Sequence, residues 1–472
     1  MTDTDLCFTP ATELAALIRR HKVSPLEVTR AALARIEKVN PSLNAYCTVA
    51  AEQALADAKR ATGALKRGAR LGPLHGVPVS IKDLTLTRGI RTTEGSKIFE
   101  HRVPAEDALV VERLKAAGAI VLGKTNTPEF GAGANTFNAV FGPTRNPWNP
   151  ALTCGGSSGG AAVALATGLG PLAQGSDLGG SLRIPAAFCG VVGFRTTPGL
   201  VPVWPAMLAW DPWSVQGPMA RTVADTALML SAIAGPDPRA PLSYAVDTRA
   251  FTRAVRAPGI KGLRVAWGGS LGITPVDDEV LRICHAATAV FRRLGVRVDE
   301  AHPDFDGLHE IVNVSRGASM VARHADKLGP WRGVMQENLV KNIEYGLTLT
   351  PTDIGRAERI RTALWHRVRE FYDRYDLLVT PTTAVPPSPV EIVSPTEING
   401  KPMTHYIEWV LLTYAFTVVG LPAISVPCGF TRAGLPVGLQ LAGGWRDDAG
   451  VLRAAAAFEA AQPWAHRWPP ER

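Results

Sequence analysis

Two glycine- and serine-rich segments occupy the centre of the chain: Gly155-Gly156-Ser157-Ser158-Gly159-Gly160 and Gly175-Ser176-Asp177-Leu178-Gly179-Gly180-Ser181-Leu182-Arg183. Nine glycines and four serines lie between residues 154 and 181. The alanine-rich run from Gly160 to Thr167 separates the two segments and predicts a helix. Because no repeat period accompanies the glycines, the region is predicted to be one ordered functional centre and not low-complexity filler.

The flanking sequence alternates between helix and strand patterns. Ser24-Pro25-Leu26-Glu27 is a capping box that predicts a helix from Pro25 to about Val39. The β-branched run from Gly76 to Asp83 predicts a buried strand that carries Lys82, and the run from Gly118 to Gly123 predicts another. This alternation is typical of α/β folds. Residues 304–376 are richer in charge and predict a helical insertion, and no linker divides the 472 residues into separate domains.

Composition excludes several classes of protein. With 46% hydrophobic and 19% charged residues, the chain is predicted to fold as a globule. The net charge of +8 comes from scattered basic residues, which argues against a nucleic-acid partner. The N-terminus has no signal-peptide pattern and no apolar run is long enough to cross a membrane, so a cytoplasmic protein is expected. The six cysteines form no C-x-x-C pair, which predicts reduced thiols and no metal site.

Two short motifs suggest other functions. Gly118 to Thr125 matches the G-x-x-x-x-G-K-T phosphate-binding loop, but its central residues read as a strand, and Pro128 follows soon after. Gly155 to Gly159 matches the G-x-S-x-G nucleophile elbow, which would make Ser157 an esterase nucleophile with a histidine as base. The residues before it are turn formers and not a strand. The esterase therefore stays as the alternative hypothesis.

Lys82 is the third unusual feature. A serine hydroxyl needs a base within hydrogen-bond reach before it can act as a nucleophile. A lysine can be that base only when it is neutral, and burial in an apolar strand favours the neutral amine. The competing interpretation is a structural lysine that is paired with a carboxylate such as Asp83.

Lys82 and the two serine segments together resemble the amidase signature family, the Ser-Ser-Lys hydrolases of amides and related C–N bonds. The resemblance runs through five further stretches: Gly72-Pro-Leu-His-Gly-Val-Pro-Val-Ser-Ile-Lys-Asp83, Gly123-Lys-Thr-Asn-Thr-Pro-Glu-Phe130, Gly190-Val-Val-Gly-Phe-Arg-Thr-Thr-Pro-Gly199, Gly217-Pro-Met-Ala-Arg221 and, weakly, Leu421-Pro-Ala-Ile-Ser-Val-Pro427. The resemblance implies an α/β/α sandwich with a large twisted mixed sheet, and a linear amidase that needs no cofactor. The expected partner is a small-molecule amide. The resemblance also implies a homodimer.

The resemblance also implies roles for individual residues. Ser181 would attack the carbonyl, Ser157 would be the bridging serine, and Lys82 would be the terminal base. An unusual cis peptide is expected at Ser157-Ser158.

Backbone N–H groups of Leu178, Gly179, Gly180 and Ser181 would converge on the oxyanion. Leucine at 178 departs from the threonine or isoleucine of many members, which affects only local packing because the donor is the backbone. The charged residues Asp177 and Arg183 are expected to support the site, together with Ser158.

The substrate class is less clearly encoded. Bulky residues crowd residues 203–214 and form either an aromatic substrate wall or ordinary packing: Trp204, Met207, Leu208, Trp210 and Trp213. A wall would favour bulky apolar or aryl amides, anilides or carbamates. Ile184, three residues after Ser181, is where a carboxylate-binding member could carry arginine, so acidic substrates are disfavoured.

Overall fold

A computed structural model describes residues 1–470 of the chain. Eleven of its described strands form one mixed sheet in the order β1-β3-β2-β4-β6-β5-β12-β13-β9-β7-β8, and β10 and β11 form a separate hairpin. The strands are Tyr46–Val49 (β1), Pro78–Lys82 (β2), Ile120–Thr125 (β3), Leu172–Asp177 (β4), Val192–Arg195 (β5), Val215–Ala220 (β6), Arg264–Trp267 (β7), Arg297–Glu300 (β8), Leu377–Pro381 (β9), Glu397–Ile398 (β10), Lys401–Pro402 (β11), Ala423–Phe430 (β12) and Pro436–Gly443 (β13).

Helices precede, follow and connect these strands. They are Asp3–Phe8 (α1), Ala11–Arg19 (α2), Pro25–Leu43 (α3), Ala51–Lys66 (α4), Leu109–Ala116 (α5), Gly159–Ala166 (α6), Arg183–Cys189 (α7), Val223–Ile233 (α8), Arg249–Arg256 (α9), Asp278–Ala287 (α10), Ala289–Arg293 (α11), Leu308–Trp331 (α12), Glu337–Thr348 (α13), Pro351–Tyr372 (α14), Leu411–Thr417 (α15) and Asp448–Ala461 (α16).

Both faces of the sheet are covered. Successive residues of a strand point to opposite faces. In β3, Val121 belongs to one hydrophobic core, whereas its neighbours Ile120 and Leu122 belong to a second. Helix α8 packs in the first core and helix α6 in the second. The predicted α/β/α fold with a large mixed sheet is therefore confirmed.

Strand pairing brings the conspicuous residues together. β2 lies parallel to β4, with Ile81 opposite Gln174, so the end of β2 approaches the end of β4. β4 in turn pairs antiparallel with β6. The second serine-rich segment contains the end of β4, and Ser157 of the first contacts Lys82 at the end of β2, so both segments lie where these two strands end.

Most element bounds agree with the sequence patterns, with one clear difference. Helix α3 has the predicted capping box but continues to Leu43, four residues beyond the predicted end, because the chain leaves the helix only at Asn44, with φ of 54°. The region 304–376 contains the three helices α12, α13 and α14. Within residues 1–470, no helix is both long enough and apolar enough to span a bilayer.

Candidate active site

Lys82 ends strand β2 with its side chain fully buried among three hydroxyl groups. Its Nζ lies 2.7 Å from Ser157 Oγ, 2.9 Å from Ser158 Oγ and 3.1 Å from Ser176 Oγ. An ammonium can donate to all three oxygens. A neutral amine can donate two hydrogen bonds and accept one from the third hydroxyl. The same geometry therefore allows neutral Lys82 to accept a proton from a serine.

The surroundings of Lys82 favour the neutral form. Burial lowers its pKa to about 7, against a smaller opposing effect of the negative charge of Asp177. Asp83 accepts instead from the backbone and side chain of Thr93, at 3.1 and 2.6 Å. The structural interpretation, in which Lys82 pairs with Asp83, is therefore wrong. Asp83 follows the last residue of β2 and lies in a turn.

The first serine segment is held tightly between neighbouring loops. Gly155 adopts φ of 74°, and a Cβ on Gly160 would lie 2.4 Å from Ala45 O, so both positions require glycine. The cis peptide bond joins Gly156 to Ser157 and not Ser157 to Ser158, so the predicted position is wrong by one residue.

Ser181 lies beside this cluster. Ser158 N–H donates to Ser181 O at 3.1 Å, and the side chains of Ser157 and Ser181 line the same cavity. The backbone N–H of Gly180, expected in the oxyanion hole, donates to Asp177 Oδ1 at 2.9 Å and is therefore occupied. The remaining predicted donors are Leu178, Gly179 and Ser181.

The glycines before Ser181 are fixed by helix α15. A Cβ on Gly179 would lie 2.3 Å from Cζ of Tyr414, and one on Gly180 would lie 2.4 Å from Oγ1 of Thr413. Thr413 Oγ1 also donates to Gly179 O at 2.7 Å. Only glycine leaves room for this contact, which sets the orientation of the loop.

Asp177 is the centre of a buried ionic group. It accepts from Arg183 Nη2 at 2.9 Å and Nε at 3.0 Å, and from Arg195 Nη1 at 3.3 Å. Burial alone would raise the pKa of Asp177, but the charge and hydrogen bonds of Arg183, with the charge of Arg195, hold it well below its usual range. Arg183 also donates to Thr413 O at 2.9 Å, which joins β4 to α15.

Substitution Asp177→Asn should destabilise the fold by about 3–5 kcal/mol, because two buried guanidinium groups would lose their only carboxylate partner among the described residues. Urea unfolding measures this loss. Asp247→Asn is the matched control, since the pair of Asp247 with Arg253 is exposed, and no measurable change is expected there. A loss below about 1 kcal/mol for Asp177→Asn would contradict a supporting role for this residue.

The cavity above the serines has a volume of about 690 Å³. Ser157, Ser176 and Ser181 lie on its wall. Among its lining residues are many apolar ones: Leu84, Leu86, Phe130, Val201, Met207, Leu208, Met320, Ile407, Trp409 and Val410.

The structure separates the residues of the predicted substrate wall. Met207 and Leu208 line the cavity, but Trp213 is buried in the core and Trp210 is 73% exposed. Trp204 lies against the guanidinium of Arg239, 4.3 Å from its ring centroid. The three tryptophans of this segment therefore lie outside the cavity lining, whereas Met207 and Leu208 are part of it.

The two competing motifs have structural explanations. Lys124 of the apparent phosphate-binding loop lies inside β3, where its buried Nζ donates to Thr85 O and, at 2.8 Å, to Thr87 Oγ1. Ser157 of the apparent elbow contacts Lys82. His324 lines the cavity, but burial first and then Lys327 and Arg323 lower its pKa to about 3, which makes it a poor base.

Sequence reasoning missed Ser176, Arg195 and Tyr414. Ser176 could have been found, because it precedes Asp177 in β4, the strand beside β2. Successive residues of a strand point to opposite faces, so Ser176 and Asp177 lie on different faces of the sheet. Arg195 and Tyr414 are distant in sequence and gave no local signal.

Known proteins resemble the whole chain. The family model described as Amidase matches residues 27–452. An acylamidase of Rhodococcus erythropolis is 42% identical over 99% of this chain and 98% of its own length. A glutamyl-tRNA(Gln) amidotransferase subunit of Thermosynechococcus vestitus is 36% identical over 97% of this chain and 98% of its own.

A solved structure agrees with these matches. The crystal structure of a bacterial aryl acylamidase of the amidase signature family superimposes with a TM-score of 0.90 and 32% identity, covering 97% of each chain. The full-length relatives and the family match show that this chain is an amidase that belongs to the amidase signature family.

Proposed function

We propose that this amidase hydrolyses carboxylic amides with bulky apolar or aromatic parts, such as anilides, or the related C–N bond of carbamates, through an acyl-enzyme on Ser181. The observation that carries the proposal is the 2.7 Å contact between Lys82 Nζ and Ser157 Oγ in the wall of a cavity that Ser181 also lines. A buried lysine in contact with a serine is the arrangement that a hydroxyl nucleophile needs.

The reaction follows from this arrangement. Neutral Lys82 takes the proton of Ser157, and Ser157 takes the proton of Ser181. The Ser181 oxygen then forms a bond with the substrate carbonyl carbon, and the carbonyl electrons move to the oxygen beside the N–H groups of Gly179 and Ser181. One such donor contributes about 10²–10³ to the rate.

Collapse of the tetrahedral intermediate breaks the C–N bond. The proton held by Lys82 returns through Ser157 to the leaving nitrogen, which departs as a neutral amine. Water then attacks the acyl carbon of the ester on Ser181 and gives a proton to the same relay. Collapse of the second tetrahedral intermediate breaks the bond between this carbon and Ser181 Oγ, which takes the proton back from the relay as the carboxylic acid leaves. The three residues therefore serve both halves of the reaction without net consumption of protons at the site.

The substrate class is supported by the cavity and by two relatives. Apolar side chains such as Phe130, Leu208 and Trp409 favour a substrate with a large apolar portion. One full-length relative is named an acylamidase, and the superimposed structure is that of an aryl acylamidase.

The acylation rate should rise with pH and then level off. Since the pKa of Lys82 is lowered to about 7, the neutral fraction should increase about tenfold per pH unit below this value and saturate above about pH 8. Pre-steady-state release of p-nitroaniline from an acyl p-nitroanilide measures this rate between pH 5 and 9. Thermal unfolding over the same range controls for loss of folded protein, and a flat rate would contradict Lys82 as base.

A further inference from the structure

Arg316 lies in the cavity without an acidic partner. It belongs to α12, its residue is 8% exposed, and it lines the same cavity as Ser181. Nε and Nη2 donate to Tyr406 Oη at 3.2 and 2.8 Å, and Nη1 donates to Tyr414 Oη at 3.1 Å. Nε also lies 3.2 Å from Asn342 Oδ1. All of these partners are neutral.

The other charged groups of the cavity wall compensate one another. Arg102 pairs with Glu94 at 2.8 Å, and Arg323 pairs with Asp211. All four residues line the cavity with Arg316. Three guanidinium groups thus share two carboxylates, and Arg316 is the one that has no ion-pair partner within the described part of the chain. The cavity wall carries one excess positive charge.

A buried cation without a counter-charge is costly, and neutral hydroxyl groups compensate it only partly. A guanidinium has five N–H donors, whereas the three neutral partners of Arg316 engage one N–H on each of its nitrogens. Two N–H groups therefore remain for a ligand. A carboxylate is the complement that accepts two parallel hydrogen bonds from a guanidinium and neutralises its charge.

We propose that Arg316 is a carboxylate-binding subsite and that the preferred substrates are amides whose acyl portion ends in a carboxylate. This inference rests on the proposed function, because it assigns the substrate of the same site. The cation comes from α12 and not from position 184, where Ile184 is apolar. The absence of arginine at that position therefore does not exclude acidic substrates.

A single side chain, that of Tyr414, lies between Arg316 and the loop before Ser181. Tyr414, which accepts from Arg316, packs so closely on Gly179 that a Cβ there would be 2.6 Å from the phenol oxygen. A substrate carboxylate held by Arg316 would therefore fix the distance of the scissile carbonyl from the oxyanion donors. The apolar wall would cover the methylene chain between the two groups.

The test compares matched p-nitroanilides. Succinyl, glutaryl and adipyl p-nitroanilides carry the carboxylate, and the 4-methylpentanoyl, 5-methylhexanoyl and 6-methylheptanoyl compounds replace it with an isopropyl group of similar shape. For the best chain length, wild-type kcat/KM should favour the carboxylate by about 10- to 100-fold. Arg316→Met should bring the ratio of kcat/KM for the acidic and neutral substrates to within about threefold of one, while Arg316→Lys should retain part of the preference.

Arg323→Met is the matched control, since Arg323 lines the cavity but is already paired with Asp211. It should leave the ratio between the two substrates unchanged. A second pair, N-butyryl-4-aminobenzoate and N-butyryl-4-methylaniline, places the carboxylate on the amine side. A preference that depends on Arg316 in this second pair alone would overturn the acyl-side assignment.

Three results separate failure of this inference from failure of the proposed function. If wild-type protein hydrolyses neutral and acidic anilides equally, the subsite assignment is wrong and the amidase mechanism stands. Equal losses on both substrates in Arg316→Met would indicate a purely structural arginine and would also overturn it. If neither substrate is hydrolysed and a fluorophosphonate does not label Ser181, the proposed function itself fails.

Discussion

Replacement of Lys82 by alanine is expected to lower the acylation rate by about 10²–10⁴-fold, the usual contribution of a general base. Lys82 Nζ is in contact with the hydroxyls of Ser157, Ser158 and Ser176, so its removal takes away the proton acceptor and the group that orients Ser157. Single-turnover release of p-nitroaniline at pH 8 measures the loss directly, because at that pH the wild-type lysine is largely neutral.

Lys124→Met is the matched control for this experiment. Lys124 is also fully buried, lies on the adjacent strand and has a pKa lowered to about 8, mainly by burial, but its Nζ donates to Thr85 and Thr87. Folded Lys124→Met protein should keep its acylation rate within a few-fold. A loss below about tenfold for Lys82→Ala, or about 1.4 kcal/mol, would contradict the role of Lys82 as base.

Ser181→Ala should abolish acyl-enzyme formation, with a loss of at least about 10⁴-fold in kcat, because the mechanism places the ester on Ser181 Oγ. Ser157→Ala should have a smaller effect, about 10²–10³-fold, since a water molecule can partly replace the bridging hydroxyl. Burst kinetics distinguish the two variants: the Ser181 variant should show no burst, and the Ser157 variant a slow one.

The opposite order of effects would point to the esterase alternative. If Ser157→Ala removed the burst and Ser181→Ala retained more than about 1% of the rate, Ser157 would be the nucleophile. The geometry argues against this alternative, which needs a histidine as base, because the Ser157 hydroxyl contacts Lys82 and has no histidine among its hydrogen-bond partners in residues 1–470.

Much of this site could be predicted from local sequence. Strand β2 was recognisable from its β-branched residues, and a lysine in such a strand is unusual enough to be noticed alone. The glycine- and serine-rich run at 155–160 predicts an ordered centre, and the structure accounts for two of its glycines by φ of 74° at Gly155 and the approach of Ala45 to Gly160. Asp177 ends β4 and Arg183 begins α7, so the two residues are separated only by the short loop that contains Ser181, and their pairing agrees with this spacing.

Other features depend on long-range contacts that leave no local pattern. The N–H of Gly180 is taken by Asp177 because the loop turns back on its own strand, so it is not free for an oxyanion. The tryptophans of residues 203–214 are compatible in sequence with a wall or with ordinary packing, and only the structure shows that Trp204 lies against Arg239 and Trp213 in the core. Arg316 has no local sequence pattern that distinguishes it from other helical arginines, because its partners Tyr406 and Tyr414 lie about 90 residues or more away in the chain.

Peptide mapping by mass spectrometry after treatment with a fluorophosphonate, which labels activated serines, tests the central claim most directly. The mechanism predicts one label, on Ser181, that disappears in Lys82→Ala while the folded fraction of the protein is unchanged. A label on Ser157 would contradict the assignment of the nucleophile, and a label on Ser181 that persists without Lys82 would contradict the Ser-Ser-Lys relay.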